Sequence, residues 1–380
     1  MKNAMNIDDG KQFTNEIIAQ EKSLFSPFID FLGLGGGFLI LLIPTLLFMP
    51  TDDETIALTS IIFLIAANFI NHPHFIHSYQ IFYQDFHKKI QSKTSTLRRK
   101  YIFAGVIMPV LMVIFFSYCL FTKDYILLGF AGNFMGFLVG WHYAKQGYGM
   151  LMVSAVLKRN FFDETEKRIL LINSYFVWLF SWIYANRVIA DRELWGIEFF
   201  AFSVPDWTIW GAGIFVIISG LLVAKLFLKR IFDNYKSFPK NGATAYLTSL
   251  YIWMIALHIH PVLVFCIPAF HSLQYLIVIW RFEINKSTAE YKADVDANVK
   301  NPRSINRRLF IFGAVGITFG AFGFWFFPIV MDLIISQNIE ALSNTAFIFM
   351  FWIFINIHHY FIDNVIWRKE NTEVNKYLFN

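Results

Sequence analysis

Apolar runs of about 18 residues or more recur along the whole chain, and each is long enough to cross a hydrocarbon layer of roughly 30 Å as a helix. That feature predicts an all-α polytopic membrane bundle. Composition argues the same way: 56% of the 380 residues are hydrophobic and only 16% charged, whereas soluble domains carry about a quarter charged residues. Forty-five Phe against 32 Lys plus Arg exclude disorder and a nucleic-acid-binding surface. The two cysteines, Cys119 and Cys266, lie inside apolar segments and form neither a disulfide framework nor a redox pair.

Spans are expected near 27–49, 55–82, 101–121, 125–157, 169–189, 207–228, 246–262, 263–280, 310–330 and 341–367, about ten in all. Residues 246–280 must cross an even number of times, and Pro261 and Pro268 favour a hairpin or a broken, re-entrant pair there. Basic loops stay on the cytoplasmic side of a membrane. Loops 87–100, 158–168, 229–240 and 281–308 are basic, whereas 51–54 and 331–340 are not, so both termini come out cytoplasmic. The expected organisation is a cytoplasmic segment 1–26, one transmembrane domain 27–367 with a cytoplasmic loop 281–309, and a cytoplasmic tail 368–380. The first 25 residues lack the apolar core of a secretion signal, so the first helix is expected to direct insertion. A bacterial inner membrane is the expected location.

The histidines point to function. Imidazole inside a bilayer is costly and usually faces the bundle interior with a partner, yet nine of the ten histidines fall in apolar spans or at their ends. Only His87 sits in a basic loop. His72, His142 and His358 each lie about 17 residues, roughly 25 Å, from the non-cytoplasmic start of their spans, which predicts a common layer toward the cytoplasmic face. Helical spacing puts His74 with His77, His271 with Gln274, and His359 with Asp363 on shared faces. Pro73 would loosen its helix and free His72 to turn toward the same site. The predicted ligand set is therefore His72, His74, His77, His142, His258, His271, His358, His359 and Asp363, with Asp85 suited to a similar role and His260 at even odds. Lys145 and Gln146 are expected to line a cavity beside His142.

Clustered imidazoles with one or two carboxylates and no thiolates suit one or two non-haem iron ions better than a structural zinc. HExxH and Glu-x-x-His pairs are missing, which favours an oxygen-activating site over a hydrolytic one.

HPHFIH, His72 to His77, resembles the HxxxxH box of the fatty acid desaturase and hydroxylase class. His358-His359 resembles the second half of an HxxHH box, and HYFID, His359 to Asp363, is similar to the HxxxD pattern of the bacterial Brp/Blh-type carotene oxygenases. These resemblances to integral-membrane, histidine-rich non-haem iron enzymes imply a dioxygen-dependent oxidoreductase acting on a lipid or isoprenoid, served by an electron-donor protein. Two other classes fit the same histidines: a proton- or metal-ion-coupled transporter, and a b-type haem protein clamped by paired imidazoles.

Overall fold

Residues that cannot continue a helix set where the apolar runs break. A computed structural model describes residues 23–48, 52–67, 69–91, 95–188, 193–194, 197–198, 200–259, 263–335, 345–368 and 370–379. Most of the expected segment 1–26 and all of His260 lie outside the described residues. The side chain of His258 does too.

The first span opens at Pro27, which needs no partner for a missing N–H, and Ser26 Oγ accepts from the Ile29 amide at 3.2 Å. It then passes a π turn, Leu32–Gly36, before continuing as α1, Gly37–Phe48. Gly35 has φ of 149°, a conformation reserved for glycine, where the turn presses on Thr248.

The expected span 55–82 is two helices, α2 (Asp53–Ala67) and α3 (Asn71–Tyr83). Pro73 thus falls in the first turn of α3, where proline is tolerated, and it does not loosen the helix.

There follow α4 (Met108–Thr122), α5 (Tyr125–Leu157), α6 (Glu164–Val188) and α7 (Asp206–Asn234). Between α6 and α7, strands β1 (Glu193–Leu194) and β2 (Ile197–Glu198) pair antiparallel against α5 at Gly129.

Two helical arms flank Pro261 as the sequence suggested. One is α8 (Lys240–Leu247), a π turn at Thr248–Ile252 and α9 (Trp253–Ile259); the other is α10 (Leu263–Asp296). Helix α10 runs unbroken through Pro268 and on through the polar residues with which the 281–309 connection begins. The chain ends in α11 (Ile305–Ala321), α12 (Phe327–Ile335), α13 (Ala346–Ile366) and α14 (Thr372–Leu378). Helix α14 folds back on α10, where buried Lys286 reaches Gln84 and Glu373 at 2.8 Å each.

Seven helices among the described residues are long and apolar enough to cross a membrane, so the chain is an all-α helical membrane protein. The exposed faces agree: Trp207, Trp210, Ile217, Leu221 and Phe232 of α7 all point outward, an arrangement costly against water and ordinary against hydrocarbon. Inside, small residues let backbones approach. A Cβ added at Gly242 would stand 2.8 Å from Leu151 Cα, so α8 lies directly on α5. Helix α13 packs on both α3 and α5, and α10 packs on α3. These four helices carry the site.

Candidate metal centre

Four histidines, one from each of α3, α5, α10 and α13, converge in the interior. His74, His142, His271 and His359 each offer a ring nitrogen, and these nitrogens all lie within 4.8 Å of one another. His74, His271 and His359 are fully buried and His142 nearly so. The space they enclose, with Phe75, Val139, Tyr143 and Asn356, is about 10 Å³, room for a single water- or ion-sized occupant.

Hydrogen bonds fix how the rings point. His74 Nδ1 donates to the Asn71 carbonyl at 2.9 Å, with Ser272 Oγ at 3.1 Å. This leaves Nε2 as a lone pair aimed inward, 3.0 Å from His359 Nε2. His359 Nε2 also stands 3.2 Å from Asp363 Oδ2, and His142 Nε2 lies 3.7 Å from the same oxygen. His271 is stacked on Tyr143, ring centroids 3.9 Å apart, and meets His142 edge-on at 4.9 Å.

Polar atoms this deep are normally paired. Here His142 Nε2, His271 Nδ1, His359 Nδ1 and Asp363 Oδ2 are buried with no hydrogen-bond partner. Facing lone pairs repel unless a proton or a cation stands between them. Donors about 2.1 Å from a shared ion stand roughly 3.0 Å apart at right angles and 3.4 Å apart in a tetrahedron. The 3.0 Å between His74 and His359 and the 3.2 Å between His359 and Asp363 match those edges, and the four ring nitrogens, within 4.8 Å of one another, could hold a metal ion. The donor set is imidazole with a carboxylate alongside and no thiolate, which suits iron, zinc or copper.

The remaining histidines are placed elsewhere. His72 stacks on Phe324 at 3.9 Å and is not freed toward the site. His77 faces α11 instead, its Nδ1 donating to Gln80 Oε1 at 2.7 Å and its ring lying flat on Phe312. His358 has both nitrogens occupied: Nδ1 accepts from Tyr79 at 2.6 Å, and Nε2 donates to the Ala104 carbonyl at 2.9 Å. Asp85 is exposed and pairs with Lys88 at 2.8 Å. Of the three histidines expected to share a layer, only His142 joins the cluster; on α3 and α13 the converging residues are His74 and His359 rather than His72 and His358.

Sequence reasoning did not single out Ser78, Tyr275 or Trp367, and it placed Gln146 and Gln274 near the histidines without saying what they bind. Tyr275 donates to Asp363 Oδ1 at 2.6 Å, sits 2.6 Å from Ser78 Oγ and accepts from Trp367 Nε1 at 3.1 Å. Gln146 donates to the His271 carbonyl at 2.8 Å and to Gln274 Oε1 at 3.1 Å, and Gln274 in turn reaches the Leu34 carbonyl.

A simple signal marks them. Each clustered histidine is followed four residues later by one of these polar partners: Ser78, Gln146, Tyr275 and Asp363. The position after His72, His77 and His358 at the same spacing is isoleucine, namely Ile76, Ile81 and Ile362. Residues four apart share a helix face, so the inward histidines are those whose face continues polar.

No family model, no curated protein and no solved structure matches the chain.

Proposed function

We propose that the protein is a membrane-embedded metalloenzyme in which His74, His142, His271 and His359 hold non-haem iron, with Asp363 beside them, and that it oxidises a lipid or isoprenoid substrate with dioxygen. The observation that carries this reading is the convergence of four imidazoles from four helices on one ion-sized space, with buried ring nitrogens unpaired. Iron held by imidazoles with an open position activates dioxygen for attack on unactivated C–H or C=C bonds.

The chain's own residues supply the rest. The hydrogen bond from His74 to the Asn71 carbonyl sets the ring's tautomer and raises its basicity. Tyr275 holds Asp363 by one oxygen so that the other stays turned to the imidazoles. Phe75, Val139 and Tyr143 wall the space with apolar surface and exclude water. A porphyrin has no room there, which disfavours the haem alternative.

The same reading places the protein in a bacterial inner membrane with about ten helical passages. Both termini and the histidine layer would face the cytoplasm, where a donor protein would deliver electrons. Its support is the bias of basic loops 87–100, 158–168 and 229–240 toward one side.

The test is metal content by mass spectrometry with an absorption spectrum on protein purified in mild detergent. One or two irons per chain without a Soret band is the expected result. Zinc alone would overturn the oxygen chemistry, and absence of any metal after reconstitution under anaerobic ferrous iron would overturn the site.

A further inference from the structure

One turn beyond the histidines, two cations share a single neutral acceptor. Lys145 Nζ donates to Asn364 Oδ1 at 2.7 Å, and Arg368 reaches the same oxygen at 3.3 Å while its Nε bonds the Asn364 carbonyl. The two charges are therefore at most about 6 Å apart, close enough to repel. All three residues are half-buried, and among the described residues neither cation has a carboxylate within 4.0 Å. Surface lysines and arginines are ordinarily solvated or paired. A half-buried pair sharing one amide oxygen has the charge and the open donors of an anion site.

Its place gives it meaning. Lys145 follows His142 by three residues on α5, and Asn364 directly follows Asp363 on α13. The pair thus sits about one helical turn, roughly 5 Å, from the metal centre. Tyr360 borders the histidines, its ring 6.3 Å from that of His142. Tyr175 is exposed on the outer face of α6 and stacks on Trp141 of α5, ring centroids 4.4 Å apart. An aromatic pair, Tyr175 and Trp141, therefore reaches from the outer face of α6 to the residue that directly precedes His142.

We propose that Lys145 and Arg368 bind the anionic head of an amphiphilic substrate, a carboxylate or a phosphate, whose hydrocarbon part lies along Tyr360 and Trp141. This deepens the reading of the histidine site as an oxidising centre: it makes the substrate a charged amphiphile rather than a neutral hydrocarbon, with the reacting carbons close to the head. The guanidinium and ammonium supply charge-assisted donors to two anion oxygens, and Asn364 holds both cations in place before the ligand arrives.

The test is binding, read by tryptophan fluorescence and calorimetry, of four probes to the purified protein in neutral detergent. Palmitate carries chain and carboxylate, palmityl phosphate chain and phosphate, methyl palmitate chain without charge, and inorganic phosphate charge without chain. Palmitate or palmityl phosphate is expected to bind about tenfold tighter than methyl palmitate, a preference of the size one charge-assisted contact confers. Lys145→Gln and Arg368→Gln should each remove that preference, and Lys145→Arg should keep it.

Equal affinity for palmitate, palmityl phosphate and methyl palmitate overturns the proposal, and so does an unchanged preference in both Gln variants. Inorganic phosphate binding as tightly as the amphiphiles overturns it too, since the pair would then serve a free anion. If both variants fail to fold, the wild-type comparison of acid with ester still decides. Metal content measured alongside separates the two readings. Metal without a head-group preference overturns the anion site alone, and a preference without metal overturns the metal centre alone.

Discussion

Tyr275 donates its hydroxyl to Asp363 Oδ1 at 2.6 Å, while Asp363 Oδ2, 3.2 Å from His359 Nε2, has no hydrogen-bond partner. One residue thus fixes the carboxylate from behind and leaves its other oxygen aimed at the imidazoles. Partners of this kind typically account for 10–100-fold in metal affinity. Tyr275→Phe removes the hydroxyl and keeps the ring, so metal affinity is expected to fall by about tenfold or more while the helical content stays unchanged. Titration of metal into the stripped protein checks this. Undiminished affinity would mean that the Tyr275 hydroxyl does not set the Asp363 carboxylate for metal binding.

The histidines divide into two groups that substitution separates. His74→Ala, His142→Ala, His271→Ala and His359→Ala each remove a group from the cluster and are expected to abolish stoichiometric metal binding. His77→Ala and His358→Ala remove rings whose nitrogens are already engaged, with Gln80 in one case and with Tyr79 and Ala104 in the other. Both should keep full metal and lower thermal stability by about 1–3 kcal/mol, the cost of unpaired buried partners. Metal loss from His77→Ala would place the centre elsewhere.

Much of this centre was legible in the sequence, and the remainder shows where one-dimensional reasoning stops. His359 and Asp363 at helical spacing do meet, and four of the histidines named from the sequence do converge. What spacing alone did not resolve is which of two neighbours on α3 and α13 points inward. His74 and His77 sit three apart, yet His77 is drawn to α11. There Gly316 leaves a hollow: a Cβ at that position would stand 2.4 Å from the His77 ring. Hollows of that kind depend on the partner helix and leave no mark in the HPHFIH segment itself. The polar residue four positions on does leave a mark, and it separates His74 from His77 and His359 from His358. The expected single span 55–82 is divided for a different reason, one the segment itself carries. Asn68, Asn71 and Pro73 interrupt its apolar run, and α2 ends at Ala67 while α3 begins at Asn71 with Pro73 in its first turn.

Asp85 offers a contrasting carboxylate. It is exposed, and the hydrogen bond and charge of Lys88 hold its carboxyl below the ordinary value. A depressed carboxylate contributes stability above its unfolded pKa of about 3.9, and the contribution is lost as pH falls through the folded value. Full exposure screens even that. Asp85→Asn is accordingly expected to leave both metal content and the melting temperature at pH 7 unchanged. Loss of metal would restore Asp85 to the ligand set.

Arg230 tests whether stability and metal binding can be separated at a distance from the centre. It ties the end of α7 to the 158–168 loop: Nε donates to Glu166 Oε1 at 2.9 Å, a terminal nitrogen donates to the Phe161 carbonyl at 2.8 Å, and further bonds reach Asn160 and the second Glu166 oxygen. The guanidinium also lies 4.3 Å from the Phe162 ring centroid. Both partners of the ion pair are about 15% exposed, so salt screens the pair less than an open surface pair. A lysine has one charged nitrogen and cannot reproduce a fork that binds four acceptors while stacking on a ring. Arg230→Lys is therefore expected to cost about 1–3 kcal/mol in thermal unfolding, with little dependence on ionic strength and with metal content intact. The loop it pins joins α5 to α6, and α5 carries His142. Should metal be lost together with stability, the position of α5 depends on this loop rather than on its packing against α8 and α13.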